Sequence, residues 1–282
     1  MLSGGIGLAG SAQPKTLPTI RLGDKRVTRL IVGNNPLQGF SHTSKRLDQL
    51  MNAYFTHERC VDFVLHCEEQ GINTWQTVPG NKFRKVMRAV RERGSGMQFI
   101  LLSTEMKFTG FDDPADPKPI AIVAQGVMVD QMMRAGQHDK IHDYVKRIRD
   151  AGFLAGISTH DPDHLSRIDG YGWENDFYMA CFYNVYRPAE EITHKLADTP
   201  VGETYLASEP ARMTARIRQV RKPCLGYKIL AAGRVCESRE AVQSAFQFAY
   251  ANIKPSDAVI AGFYPVFHDE VAEGCEFARS FA

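Results

Sequence analysis

The chain has 282 residues, 44% hydrophobic and 23% charged, an ordinary balance for a globular protein with a large core. Its 34 Lys and Arg against 32 Asp and Glu leave a net charge of +2, without the electrostatic footprint of a nucleic-acid or anionic-membrane binder. No apolar run approaches the roughly 20 residues that span a bilayer, and six cysteines without a CxxC or zinc spacing leave the redox compartment open.

Residues 1–18, MLSGGIGLAGSAQPKTLP, are small, apolar and Gly-rich, with no helical or strand period. Two readings stand. One is a floppy leader on a cytoplasmic protein. The other is a signal-peptide remnant of an exported (periplasmic) protein, cleaved near Ser11-Ala12-Gln13 but lacking its charged n-region. One domain is expected over 19–282.

Residues 19–27 carry two alternating runs around Gly23-Asp24, a hairpin signal. The apolar run 30–33 is the first buried strand, followed by Asn34, Asn35 and His42. A helix over 55–70 ends at Gly71. Strand two, 72–78, ends in Gln76-Thr77, and a basic amphipathic helix over 83–93 stops at Gly94. Strand three, 99–102, runs into Ser103-Thr104-Glu105. Three prolines within 109–119 forbid a helix there, so the third crossover is a loop or very short. Strand four, 120–124, closes on Gln125-Gly126, and a helix covers 141–151.

Strand five, 153–157, leads into Ser158, Thr159 and His160, after which Asp161-Pro162 opens a helix as N-cap and first helical position. Strand six, 177–181, is followed by Phe182-Tyr183-Asn184 and the longest irregular connection, up to a capped helix at 208–221. Strand seven, 225–230, carries Lys228. A helix over 238–251 is capped by Ser238, strand eight is 258–262, and a last helix covers 269–278. Eight apolar strands alternating with about seven helices predict an α/β fold: a closed (β/α)8 TIM barrel with an N-terminal β-hairpin and a degenerate third helix. A doubly wound nucleotide fold is disfavoured. GNNPLQG after the first strand holds neither G-x-G-x-x-G nor a P-loop lysine, and the match by letters at Gly5–Gly10 lacks a preceding strand.

In a parallel barrel the strand C-termini ring one mouth, where function resides. That ring holds Asn35, Gln76, Glu105, Gln125, His160, Tyr183, Asn184 and Lys228. Asn, Gln and Tyr there most often satisfy exposed loop backbone. Glu105 and Lys228 are costly near a barrel core unless paired, so they form either a structural salt bridge or a catalytic pair. As a catalytic residue, a desolvated Lys228 is a general base, a carbonyl polariser or a Schiff-base nucleophile, with Glu105 and His160 moving protons beside a carbonyl. A second scheme makes His160, Glu105 and His42 three ligands of a divalent metal. Substrate would then rest on Asn35, Gln76, Gln125, Tyr183, Asn184 and Tyr227.

LGDKRVTRLIVGNN resembles the N-terminal hairpin and first strand of aldo/keto reductases, and GINTWQTVPGNK is similar to their Gly-I-N-x-x-D-T-A-x-x-Y-G segment. FLAGISTHDPDHL is similar to their fifth strand, and FYNVYR and GYKILAAGR to their sixth and seventh strand ends. The resemblance spans roughly 19–282 and extends to exported reductase-like barrels. It implies a TIM barrel and NAD(P)H-dependent reduction by an Asp, a Tyr, a Lys and a His. Position by position, these four fall on Gln76, Asn81, Glu105 and Gln125. Gln and Asn supply no proton, and Glu reverses the sign of the local field. What survives is Tyr227, where the family often stacks an aromatic on nicotinamide.

The reading is therefore a small-molecule enzyme acting on a polar carbonyl- or sugar-like substrate at the C-terminal mouth. Non-redox chemistry (lyase, isomerase or hydrolase, by acid–base or metal-assisted steps) is favoured. An NAD(P)H-dependent reductase with a rebuilt site and a non-catalytic ligand-binding barrel are the alternatives. A divalent metal is compatible with the residues and NAD(P)H less so; a homo-oligomer is open, and no nucleic-acid or membrane partner is expected.

Overall fold

The computed structural model describes residues 16–106 and 116–282. The readings of residues 1–18 as a leader and of 109–119 as helix-free lie largely outside the described residues; within them, 116–120 is irregular. The hairpin is present as β1 (Thr19–Leu22) and β2 (Lys25–Thr28), paired antiparallel about Gly23 at φ +60°. Eight parallel strands then close on themselves: β3 (Leu30–Val32), β4 (Thr74–Thr77), β5 (Gln98–Ser103), β6 (Ala121–Ala124), β7 (Leu154–Thr159), β8 (Phe177–Cys181), β9 (Cys224–Tyr227) and β10 (Ala258–Ala261). Pairing of Ile260 with Ile31 and of Ile260 with Tyr227 joins β10 to its neighbours on both sides and completes the barrel.

The strands read as apolar runs because both faces are covered. One face packs inside the barrel, where Ile31, Ile100, Val123, Phe177, Met179, Leu225 and Ile260 meet Ile20, Leu22 and Val27 of the hairpin. The hairpin thus joins the inner core. The other face packs beneath the helices, with Trp75, Phe99, Tyr144 and Phe246 buried between layers.

The helices are α1 (Lys45–Tyr54), α2 (His57–Glu69), α3 (Asn81–Glu92), α4 (Gly126–Arg134), α5 (His138–Asp150), α6 (Pro162–Gly170), α7 (Ala189–Leu196), α8 (Glu209–Ile217), α9 (Arg239–Asn252) and α10 (Glu270–Phe281). Their ends follow local chemistry. Ser44, Thr56, Asp161, Ser238 and Asp269 each accept a backbone N–H as N-cap. Helices α1, α4 and α7 go beyond the sequence reading. In α4, residues 126, 129, 130 and 133 form one buried stripe at helical spacing. The expected strand 225–230 is also shorter: β9 ends at Tyr227 because Lys228 turns left-handed, at φ +60°.

Candidate active site at the barrel mouth

Two hydrogen-bonded relays converge where the strands end. The first is built on Asp130, whose carboxylate faces the end of β7 and is 1% exposed. It accepts from Thr159 Oγ1, the His160 backbone N–H (3.0 Å), His160 Nδ1 (2.8 Å) and His164 Nδ1 (2.9 Å). With Nδ1–H committed to Asp130, His160 Nε2 is the acceptor, and it receives the Tyr227 hydroxyl at 3.0 Å. Ser158 Oγ lies 3.1 Å from the Tyr227 oxygen and donates to it. The order is Ser158, Tyr227, His160, Asp130.

Gly126, the first residue of α4, lets that helix press against His160. A Cβ there would meet Cε1 at 2.7 Å and Nδ1 at 2.9 Å.

Burial, opposed by Asp130, holds the His160 imidazole below its ordinary pKa. Burial alone would raise the Asp130 carboxyl, but the bonds from His160 and His164 outweigh it and leave it well below the carboxylate range. Burial pushes the Tyr227 hydroxyl far up. At neutral pH this is a protonated tyrosine bonded to a neutral imidazole, which is itself backed by a carboxylate.

The second relay centres on His42. Its Nδ1 donates to Glu203 (2.8 and 2.9 Å to the two oxygens), so Nε2 accepts, from Lys228 Nζ at 2.7 Å and from Asn35 Nδ2 at 2.9 Å. Glu203 also accepts from Tyr205 Oη at 3.1 Å. Burial lowers both His42 and Lys228, the latter against the attraction of the Glu203 carboxylate. Glu203 is pushed up by burial, yet the His42 bond and the Lys228 charge bring it net below its ordinary value. His42 and Lys228 both sit at left-handed φ, +59° and +60°, a conformation disfavoured by roughly 1–2 kcal/mol for a residue with a Cβ. Successive strand residues face opposite sides. The left-handed turn therefore ends β9 and lets Lys228 line the same cavity as Tyr227.

That cavity measures about 510 Å³. Asn34, Asn35, Gln76, His42, Tyr227 and Lys228 line its inner end, and Glu237, Arg239, Glu270 and Glu273 its outer end. Asn34 is 1% exposed; its Oδ1 accepts from Thr77 Oγ1, and its Nδ2 has no partner among the described residues.

Of the residues expected from the sequence, Asn35, Gln76, His42, Tyr227 and Lys228 line this one cavity, and His160 reaches it through Tyr227. Tyr183 is buried against the Tyr205 ring, and Asn184 donates to Asp161. Gln125 is the N-cap residue of α4, without a side-chain cap bond. Glu105 is exposed beyond β5. The expected Glu105–Lys228 pair is replaced: Lys228 bonds His42, and Glu203 supplies the carboxylate.

The metal scheme of His160, Glu105 and His42 is not assembled. Among the described residues no group of three or more His, Cys, Asp or Glu is placed to hold an ion, and both nitrogens of each histidine are already bonded.

Sequence reasoning missed Asp130, His164, Glu203 and Asn34 as site residues. Asp130 did leave a trace, as the one charge within the apolar stretch GVMVDQMM. Glu203 left none.

A nicotinamide cofactor, implied by the resemblance, fits this lining poorly. Glu237, Glu270 and Glu273 line the outer cavity beside Arg239 and His268, where pyrophosphate would need unpaired cations or free helix N–H groups. Arg239 is taken up by Glu273 and Glu276. At the start of α10, Asp269 caps the helix and Glu270, its carboxyl pushed up by burial, accepts from the Tyr264 N–H.

No known family profile matches the chain, and no curated protein matches it either. Solved structures do. A glycerol dehydrogenase from Gluconobacter oxydans is 11% identical, with 94% of this chain and 90% of that one covered at a TM-score of 0.52. The apo form of Gox0644 is 12% identical, with 94% of each chain covered at a TM-score of 0.53. What the chain shares with them is its fold, an eight-stranded parallel barrel.

Proposed function

We propose that this chain is a barrel enzyme that transfers protons next to the carbonyl group of a small polar substrate, in non-redox chemistry of the lyase or isomerase type. One observation carries the reading. Two histidine relays end on consecutive residues, Tyr227 and Lys228, and both end groups line one cavity. Lys228 engages the carbonyl. Tyr227 takes a substrate proton as its own passes to His160, leaving an imidazolium beside Asp130; reversal of the path delivers a proton. Asn34 Nδ2, buried and unpaired, is a donor for a substrate oxygen.

A second reading has its own support: Tyr227, Lys228, His160 and Asp130 are the residue types with which aldo/keto reductases protonate an alkoxide. The acidic outer cavity weighs against it. The test follows small ketones and keto-sugars in D2O by proton NMR, alongside titration with NADH and NADPH. Exchange of the protons beside the carbonyl, lost in Tyr227→Phe, is the expected result. Saturable micromolar nucleotide binding with substrate-driven oxidation would establish the reductase instead, and absence of exchange with the whole panel would leave a ligand-binding barrel.

A further inference from the structure

Resting on that proton-transfer reading, we infer that Lys228 is a nucleophile that forms a covalent imine with an aldehyde or ketone substrate, and that His42 and Glu203 are the positioning residues that prepare it. The partner of the Lys228 nitrogen decides between ammonium and amine. That partner is an imidazole nitrogen, not a carboxylate. The Nδ1–H of His42 is committed to Glu203, so Nε2 keeps its lone pair and accepts an N–H from lysine. A neutral amine that donates one N–H to this nitrogen has its own lone pair left for the cavity. An ammonium in the same place would be half-buried with its nearest relay charge one imidazole away. Burial works in the same direction, lowering the pKa of Lys228. The left-handed backbone at both Lys228 and His42 holds the pair together at 2.7 Å in a conformation that local sequence disfavours.

The step balances within the residues present. His42 Nε2 removes a proton from the Lys228 ammonium. The amine lone pair attacks the carbonyl carbon, a C–N bond forms, and the C=O π pair moves to oxygen. The Tyr227 hydroxyl, adjacent in sequence and lining the same cavity, protonates that oxygen. The nitrogen then gives its second proton to the Tyr227 oxygen, and the proton held by His42 passes to the hydroxyl and expels water, leaving a protonated imine. The two protons lost by nitrogen are the two gained by oxygen, and no oxidant or reductant is consumed. The iminium draws electrons from the neighbouring C–H or C–C bond, which gives the proton transfer of the preceding reading its electron sink.

Trapping tests this directly. The full chain is incubated near neutral pH with hydroxyacetone or glyceraldehyde and sodium cyanoborohydride, then examined by intact mass and peptide mapping. One adduct on Lys228, forming about tenfold faster than on any other lysine, is the expected result. It should disappear in Lys228→Arg, which keeps an N–H donor for His42 but no nucleophilic amine, with circular dichroism confirming the fold. In His42→Asn the pH profile of labelling should change, a readout that a purely structural role leaves unmoved. Labelling spread over surface lysines with no preference for Lys228 would overturn the imine. If Lys228→Met then still exchanges protons with the ketone panel through Tyr227, the proton-transfer reading survives without it; if exchange is absent in the parent chain as well, both fall.

Discussion

Asp130→Asn is the perturbation that probes the first relay most sharply. The carboxylate accepts four hydrogen bonds, two of them from imidazoles, with 1% of the residue exposed. Asparagine keeps the shape but has one acceptor oxygen, so its NH2 must face a histidine Nδ1–H or force that ring into the other tautomer. Breaking a buried charged pair is worth about 3–5 kcal/mol; because the amide retains some of the bonds, about 3 kcal/mol is expected. Urea unfolding at pH 7, at unchanged m-value, measures it.

The pH dependence has a definite sign. Asp130 is a carboxylate whose folded pKa lies below its unfolded value, through the bonds from His160 and His164 that overcome burial. Its contribution is therefore fully present above the unfolded carboxyl value of about 4 and is lost as pH falls below that. The stability gap between the parent and Asp130→Asn should be constant from about pH 7 to 5 and narrow below about pH 4. Histidine 15N spectra should show one of the two rings, His160 or His164, leaving its Nδ1–H tautomer in the variant. A variant within about 1 kcal/mol of the parent at pH 7, or a gap that widens toward acid, would refute the reasoning.

Gly126→Ala brings a methyl to 2.7 Å from His160 Cε1, and the ring cannot retreat because Asp130 and Tyr227 hold its two nitrogens. Overpacking of about 1–3 kcal/mol less the helix gain of about 1 predicts a net loss near 1 kcal/mol by urea unfolding, and a net gain would contradict the packing. Glu203→Gln removes the negative charge that favours the Lys228 ammonium, so the midpoint of the labelling rate against pH should move down, with a lower plateau because His42 is the weaker base; an upward shift would count against the relay. Gly226→Ala sets a Cβ 2.7 Å from Phe182 Cε1 in the fully buried wall of β9, and unfolding should show a loss of about 1–3 kcal/mol.

Much of the barrel was legible residue by residue. Strands buried on both faces read as apolar runs, and Asp161-Pro162 and Ser238 announce the helices they cap, because these are contacts within a few residues along the chain. Strand order follows from eight such units closing on themselves, and that closure brings Asn35, Gln76, His160, Tyr227 and Lys228 to one mouth. The pairing of charges did not follow. Glu105 was the expected partner of Lys228 because both end strands, but the lysine turns left-handed and bonds His42, 186 positions away. Glu203, beyond α7 in the longest irregular connection, reaches the mouth through a stretch with no period to read. Asp130 is buried because α4 packs on β7, a contact between elements rather than a property of GVMVDQMM. Local propensity and burial period act over a few residues, so the sequence by itself determines the barrel. Which carboxylate meets which cation depends on where whole loops come to rest on the closed barrel, so tertiary structure alone decides it.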